Sequence, residues 1–397
     1  MGPADAPSGG AGRVLSSDGT SLHRARVIQL APFGVHQQAG VFLSRMRSLA
    51  DVAEQRGWRF ATVLKPEARR RDWLDDLLAM GIDAHFVPTN PRLTTVQRLR
   101  AMLAKTDEPT VLHAHFTGYD VPAALAAVGR SRTAVFWHVH SYLESALWFR
   151  VRSLVKYTVA RACVDRILCA ATHIAEGVIE RGAPPAKVTV VPTPLDTSEF
   201  SRVTDESRSE ARRRLEIPTD RRVVLHFGWD PYIKGTDLFL EALKELRDSG
   251  NDRVVGITIG DEAGATRLRD ELGVGDVLVL PPQRDIRRFF AAADVFVSAG
   301  RSEGSPTAVL EALWVGLPVV ATDIPGHADV PNLALYRLAA LDARDLARVI
   351  GDTLRDGLPR AAEVEKARQW IFDHRDLRLW SKQLLDLYES ALSSDSA

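Results

Sequence analysis

The sequence predicts an α/β protein of two parallel-sheet domains facing each other across a cleft. Three observations carry this. Short apolar runs alternate with longer amphipathic ones, the pattern of a parallel sheet covered by helices on both faces. The alternation runs through twice, separated by the Pro-containing, highly charged stretch VPTPLDTSEFSRVTDESRSEARRRL. A chain of 397 residues also exceeds what one ordinary core accommodates.

Residues 1–24 are rich in Gly, Ser, Pro and Ala and lack an apolar h-region, so a disordered tail is expected there. ARVIQLAPFG then reads as a buried strand entering a Gly-containing loop, and VFLSRMRSLADVAEQRG as a helix closed by Gly57. FATVLK, AHFVP, TVLHAH, AVFWHVH, DRILCA and KVTVVP read as further strands of a first Rossmann-like domain over 25–198. RRVVLHFGW, VVGITIG, VLVLP, DVFVSA and PVVATD supply a second, over 199–375, with the boundary near 198–204. The closing pattern, VEKARQWIFDHRDLRLWSKQLLDLYESAL, is one or two amphipathic helices, fraying after Ser393.

Composition narrows the class. A hydrophobic content of 45% and a charged content of 26% are those of a soluble globular chain. Zero formal net charge argues against nucleic-acid binding by counterion release. The zero hides an asymmetry: residues 1–198 hold 24 Lys+Arg against 17 Asp+Glu, and the remainder 27 against 34. Cys163 and Cys169 suit neither a disulfide framework nor a zinc site, and reduced core residues of a cytoplasmic protein are expected. No run approaches the roughly 18 apolar residues of a membrane span.

Ligands of open parallel sheets bind beyond the carboxyl ends of the strands. After DVFVSA comes Arg301-Ser302-Glu303-Gly304-Ser305-Pro306-Thr307, then AVLEALWVG. Pro306 and Thr307 open a helix that Gly316 stops, with Glu303 in the loop before it and Glu311 inside it. N–H groups at such a helix start bind phosphate oxygens, and the two carboxylates are acceptors for sugar or ribose hydroxyls. A second junction, HFGWDPYIKGTDLFLEAL, sets Lys234 between strand and helix, where its charge can neutralise a diphosphate.

These segments resemble the retaining glycosyltransferases of family 4, which have the GT-B fold. The resemblance rests on strand–G-x5-KG–helix, on AADVFVS with S-E-G-x-P, on the E-x7-E of Glu303 and Glu311, and on GLPVVATD. It covers Arg26 to about Leu392. It implies that Lys234 contacts the donor diphosphate, that Glu303 lies near the donor sugar and that Glu311 holds the ribose. His140, ending AVFWHVH, is implied near the reacting centre, with Gly34–Gly40 approaching the phosphates from the first domain. Gly260 and the Leu280–Gln283 loop are implied at the nucleobase end, and 376–397 in a helix crossing back onto the first domain.

Three departures stand out. The Arg usual after the glycine of the first motif is Trp229, so a second phosphate cation must come from elsewhere, with Arg301 one candidate. The paired glycines of the first loop are Ala39-Gly40, and the usual Asn-Gly of the interdomain crossing is Thr193-Pro194.

His113, His115, His138 and His140 form two H-x-H pairs at neighbouring strand ends. No carboxylate motif accompanies them, so no metal site is expected; one histidine of each pair is expected to face the cleft, with His140 implied by the resemblance and His115 a further candidate, while the others make structural hydrogen bonds. No D-x-D occurs, so a divalent cation is expected to be dispensable. LESALWFRVRSLVKYTVARACVDR mixes apolar residues with Arg150, Arg152, Lys156 and Arg161. A packed helix with snorkelling basic stems is the plainer reading, and peripheral contact with an anionic membrane is the other.

The expected function is metal-independent, retaining transfer from a nucleotide-diphosphate-sugar to a small-molecule or glycan acceptor, with no other cofactor and no nucleic-acid partner. The alternatives are a non-catalytic nucleotide-sugar-binding subunit, a sugar-nucleotide epimerase and a sugar phosphorylase.

Overall fold

The structure, a computed structural model, describes residues 24–33, 41–141 and 147–394, the side chains of 147–152 and 394 excepted. The expected tail, Gly34, Gly40, the side chains of Arg150 and Arg152, and the residues after 394 lie outside this range.

The first sheet comprises β1 (Arg26–Leu30), β2 (Arg59–Leu64), β3 (Asp83–Phe86), β4 (Thr110–His115), β5 (Thr133–Val139), β6 (Arg166–Cys169) and β7 (Val188–Val190). Its spatial order is β3-β2-β1-β4-β5-β6-β7, parallel throughout. The second holds β8 (Arg222–Gly228), β9 (Val254–Gly260), β10 (Val277–Leu280), β11 (Val295–Ser298), β12 (Val319–Thr322) and β13 (Tyr336–Ala339). Its order is β10-β9-β8-β11-β12-β13, again parallel. The order reverses between β1 and β4 and between β8 and β11, and the crevices at these switch points are where such sheets take ligands. The strand β13 is the one the sequence reading missed.

Central strands are buried on both faces, which is why they read as apolar runs; even the histidine-bearing β4 is wholly buried. Each sheet divides its domain's apolar residues into two layers. One layer of the first domain is completed from the far end of the chain. The helix Leu377–Ser394 sends Leu377, Trp380, Leu384, Leu385, Tyr388 and Leu392 into it beside Met46, Leu49 and Phe136. That spacing of three and four residues is the apolar stripe of a helix. Truncating one such leucine to alanine costs about 2–5 kcal/mol.

The two passages of chain between domains lie side by side. Leu195 N donates to Arg375 O at 2.7 Å, and Leu377 N donates to Leu195 O at 3.1 Å. Asp376 then caps the last helix, its Oδ1 accepting from the N–H groups of Arg378 and Leu379, each at 3.0 Å.

Among the described residues no helix is long and apolar enough to cross a membrane. In the helix Leu147–Cys163, Lys156 turns inward to Asp120 at 2.6 Å and lies over the Trp137 ring, while Leu154 and Val155 are exposed. Both cysteines are free thiols, and burial pushes that of Cys169 up to about 12.

Candidate active site

On the second domain the site starts where β8 ends. The following loop is closed by Asp230, whose Oδ1 accepts from the N–H groups of Tyr232 (3.1 Å) and Ile233 (2.9 Å). Gly235 begins the next helix in the left-handed region (φ 67°, ψ 38°), and a Cβ there would lie 1.9 Å from Ala299 O. Only glycine fits, and this holds Lys234 against the end of β11. Its Nζ lies 2.8 Å from both carboxylate oxygens of Glu303, which is itself buried.

Past Glu303 the helix Thr307–Val315 opens behind Pro306, and Gly316 ends it at φ 87°. Its first N–H groups lack intrahelical partners, as at any helix start. Lys234, Glu303, Ser305, Pro306, Thr307 and Trp229 line one pocket of about 220 Å³, with Trp229 half exposed at its wall. Glu311, one turn further along the helix, is buried and has no hydrogen bond to a described residue. Burial, reinforced by Glu199 and opposed by Arg45, pushes its carboxyl up to about 8.

Arg301 is placed differently from the other motif residues. Its guanidinium grips Asp237 with two bonds of 2.7 Å, donates to Tyr232 O at 2.8 Å and lies over the Tyr232 ring. Gly260 ends β9 against the loop after β8, where a Cβ would be 2.2 Å from Gly228 O.

The first domain meets the loop between Glu303 and Ser305 at Gly304. A Cβ on Gly304 would stand 2.0 Å from His140 O, so the two domains touch backbone to backbone at that point. The His140 ring stacks on His138 (centroids 3.9 Å) and contacts Phe116 (4.7 Å). Its Nε2 is 2.8 Å from Nδ1 of His115, and His115 Nε2 is 2.6 Å from Gln29 Oε1. Gln29 Nε2 donates to Tyr388 OH at 3.1 Å, and that hydroxyl is hydrogen bonded to His113 Nδ1. Burial holds all four histidines below their ordinary range, His115 at about 3, with neighbouring histidines and Arg45 acting in the same direction.

His113, His115 and His138 offer ring nitrogens within 4.8 Å of one another. Their rings stack, with interplanar angles of 8° to 29° and centroids 4.2–5.6 Å apart. Lone pairs of stacked rings run in parallel planes and do not converge on one ion about 2 Å away. As arranged, the three rings stack, and His113 Nε2 and both ring nitrogens of His138 are buried without a hydrogen-bond partner among the described residues.

Sequence reasoning passed over Gln29, Arg45 and Tyr388. Arg45, on the helix Phe42–Gln55, is close enough to Glu311, His115, His138 and His140 to act on each electrostatically, and burial lowers its own pKa to about 10. Its side chain makes no hydrogen bond to a described residue, and Nε is buried without a partner. An Arg among apolar residues in an early helix gives no sequence signal.

Two family models match the chain: Glycosyltransferase Family 4 over residues 45–199, and Glycosyl transferases group 1 over 221–356. The chain belongs to the family 4 glycosyltransferases. A D-inositol 3-phosphate glycosyltransferase of Thermobifida fusca (strain YX) is 31% identical over 180 residues, 42% of this chain and 41% of that one. The enzyme of the same name from Mycobacterium bovis (strain BCG / Pasteur 1173P2) is 35% identical over 171 residues, 41% of this chain and 35% of that one. The chain thus spans about two-fifths or less of the length of the curated relatives it matches. Across nearly the whole chain the fold is that of GT-B glycosyltransferases. A glycosyltransferase from Rickettsia africae ESF-5 superposes with a TM-score of 0.78 at 16% identity, covering 93% of this chain and 99% of that one. Anabaena HepE in complex with UDP gives 0.78 at 18% identity, covering 92% and 100%.

Proposed function

We propose that this family 4 member transfers a sugar from a nucleoside-diphosphate-sugar to a small-molecule or glycan acceptor with retention of anomeric configuration. The observation that carries this reading is the pocket in which Lys234, Glu303 and the helix start at Ser305–Thr307 meet. Lys234 and the free N–H groups stabilise the charge that grows on the leaving diphosphate, and Glu303 accepts from sugar hydroxyls. Glu311 takes the ribose hydroxyls, and the turn that begins at Gly260 borders the base.

Trp229 leaves the diphosphate one cation short, and Arg301 is committed to Asp237. Arg45, across the cleft and without a hydrogen-bonded carboxylate among the described residues, supplies the second charge. Departure occurs on the front face: the sugar–phosphate bond breaks, the leaving phosphate oxygen takes the acceptor's proton, and the acceptor oxygen bonds to the same face of C1. With two protein cations and a helix start on the diphosphate, and no D-x-D to hold an ion, divalent metal is dispensable. The reaction is placed in the cytoplasm, in keeping with two free thiols.

HepE structures hold UDP and UDP-glucose, so UDP-sugars head a calorimetric screen that also includes GDP-, ADP- and TDP-sugars. Binding of one sugar nucleotide, followed by transfer in excess chelator to give the retained anomer, is the expected result. An inverted product, or an absolute need for metal, refutes the mechanism. Turnover of donor sugar without acceptor supports the epimerase instead, phosphate-dependent release the phosphorylase, and binding without any turnover a non-catalytic subunit.

A further inference from the structure

Trp229 is held in place by the backbone around it and not by the packing of its own ring. On one side Asp261 N donates to Gly228 O at 2.9 Å, and Gly260 packs so close that a Cβ there would lie 2.8 Å from Trp229 N. On the other, Lys234 N donates to Asp230 O, Thr236 N to Pro231 O and Arg301 N to Ile233 O, each at 2.8 Å. The residue itself is 50% exposed, and its indole makes no hydrogen bond or ring contact with a described residue. Packing an aromatic side chain removes about 150–250 Å² from water, so a braced loop that leaves this one open forgoes a large stabilisation. Tyr232, the other exposed aromatic of the loop, differs: the Arg301 guanidinium lies over its ring, and it does not line the pocket.

The pocket that Trp229 lines offers two kinds of wall. Lys234, Glu303 and the helix start at Ser305–Thr307 are polar, and Trp229 adds an open aromatic face. Its volume of about 220 Å³ is less than the roughly 300–1,000 Å³ of a site that encloses a whole small ligand, so it takes one part of a donor. A pyranose suits both walls. Hydroxyls project from its rim, within the chemistry of Glu303, and C–H bonds polarised by neighbouring oxygens cover its faces. The negative face of an indole attracts such C–H groups. The nucleobase is the rival for this ring, since bases also stack on indoles and Gly260 behind Trp229 borders the base in the reading above. The pocket decides between them, because the indole shares it with Lys234 and Glu303.

We propose that Trp229 is a specificity-determining residue on which the C–H face of the donor's pyranose rests, with the hydroxyl edge turned to Glu303. This rests on the transferase reading above and names the part of the donor that the ring receives. A pyranose with one face clear of axial hydroxyls is thereby favoured over one that carries a hydroxyl on the stacked face.

The test compares each nucleoside diphosphate with its sugar nucleotide on the full-length protein: UDP with UDP-glucose, GDP with GDP-mannose, ADP with ADP-glucose and TDP with TDP-glucose. Calorimetry gives both affinities, and 19F NMR of 5-fluorotryptophan-labelled protein reports on the ring, the Trp229 signal being the one missing from Trp229→Phe. In the series that binds, the Trp229 signal should move clearly further with the sugar nucleotide than with the diphosphate alone. Trp229→Ala should lower the affinity for the sugar nucleotide relative to its diphosphate by about tenfold, and Trp229→Phe, which keeps an aromatic face, should recover most of it. Thermal unfolding of both variants should stay close to wild type, as expected of a half-exposed side chain. A signal that moves equally with the bare diphosphate, or equal losses for diphosphate and sugar nucleotide in Trp229→Ala, would assign the ring to the base or the phosphates and overturn the proposal. So would binding of a sugar nucleotide that leaves the Trp229 signal in place. A panel in which calorimetry detects no binding overturns the donor reading itself and this proposal with it, an outcome distinct from binding without the Trp229 response.

Discussion

Lys234 Nζ lies 2.8 Å from each carboxylate oxygen of Glu303, so in the free protein the cation proposed for the diphosphate is already occupied. A diphosphate must draw Lys234 away from a partner that is itself buried, and Glu303 is thereby released to face sugar hydroxyls. In the function proposed above, donor binding and exposure of the carboxylate assigned to the sugar become one event.

Glu303→Gln should separate these roles. Freed of its counter-charge, Lys234 should bind nucleoside diphosphate more tightly, by roughly two- to tenfold, whereas sugar transfer should fall by about two orders of magnitude. Lys234→Ala should weaken diphosphate binding and depress transfer while leaving thermal unfolding close to wild type. Calorimetry and initial rates check both; equal diphosphate affinity in wild type and both variants would sink the partner exchange.

Glu311 should make nucleotide binding depend on pH. With its carboxyl at about 8 in the free protein, it is mostly protonated at neutral pH. Ribose hydroxyls donate better to a carboxylate, so binding favours the ionised form and releases a proton. Affinity should rise from pH 6.5 to 9 and level off above the pKa. Calorimetry in buffers of different ionisation enthalpy measures the released proton, which Glu311→Gln should abolish. Unchanged affinity in Glu311→Ala would remove the ribose assignment.

Arg45 is expected to matter more for charge than for packing. Arg45→Met keeps the aliphatic stem and should lower affinity for a sugar nucleotide by roughly tenfold or more, with Arg45→Lys recovering part of it. The loss should be much smaller for the nucleoside lacking phosphates. Equal losses for nucleoside and nucleotide would show that Arg45 does not act on the diphosphate.

The histidine stack predicts acid lability. His113, His115, His138 and His140 have folded-state pKa values below the ordinary 6.5. The unfolded chain therefore takes up protons first as pH falls, and stability present above 6.5 is lost below it. Each histidine contributes about 1.4 kcal/mol per pH unit in that window. Glu311, with its raised pKa, works the other way between about 4.5 and 8, but it is one group against four. Thermal unfolding should move to clearly lower temperature from pH 6.5 to 5. A flat profile would mean that the histidines are charged or solvated in the folded state.

The sequence made most of the sheet legible because central parallel strands must be apolar on both faces. It made the motif loops legible because strand ends are where ligands bind. The strand β13 escaped because its two middle residues, Arg337 and Leu338, are the open ones, so it lacks the continuous apolar run of the central strands. Glu303, Glu311 and Lys234 could be found because each sits at a recognisable junction within its own segment. Arg301 shows the limit of that approach: its position in the motif is clear, but its attachment to Asp237 depends on a helix 64 residues away. Gln29, Arg45 and Tyr388 carry no local signal at all. Their relation to His140 exists only after three separate elements have packed together.

The helix Leu377–Ser394 also has a consequence for how the protein is made. Its six apolar residues complete the first domain's core, yet the ribosome delivers them only after the entire second domain. Until then Met46, Leu49 and Phe136 lack their final cover, and partly covered cores of this kind aggregate. Synthesis of this chain therefore leaves the earlier-made half waiting on the later one, and a gene cut between the domains should yield a first half that does not stay in solution.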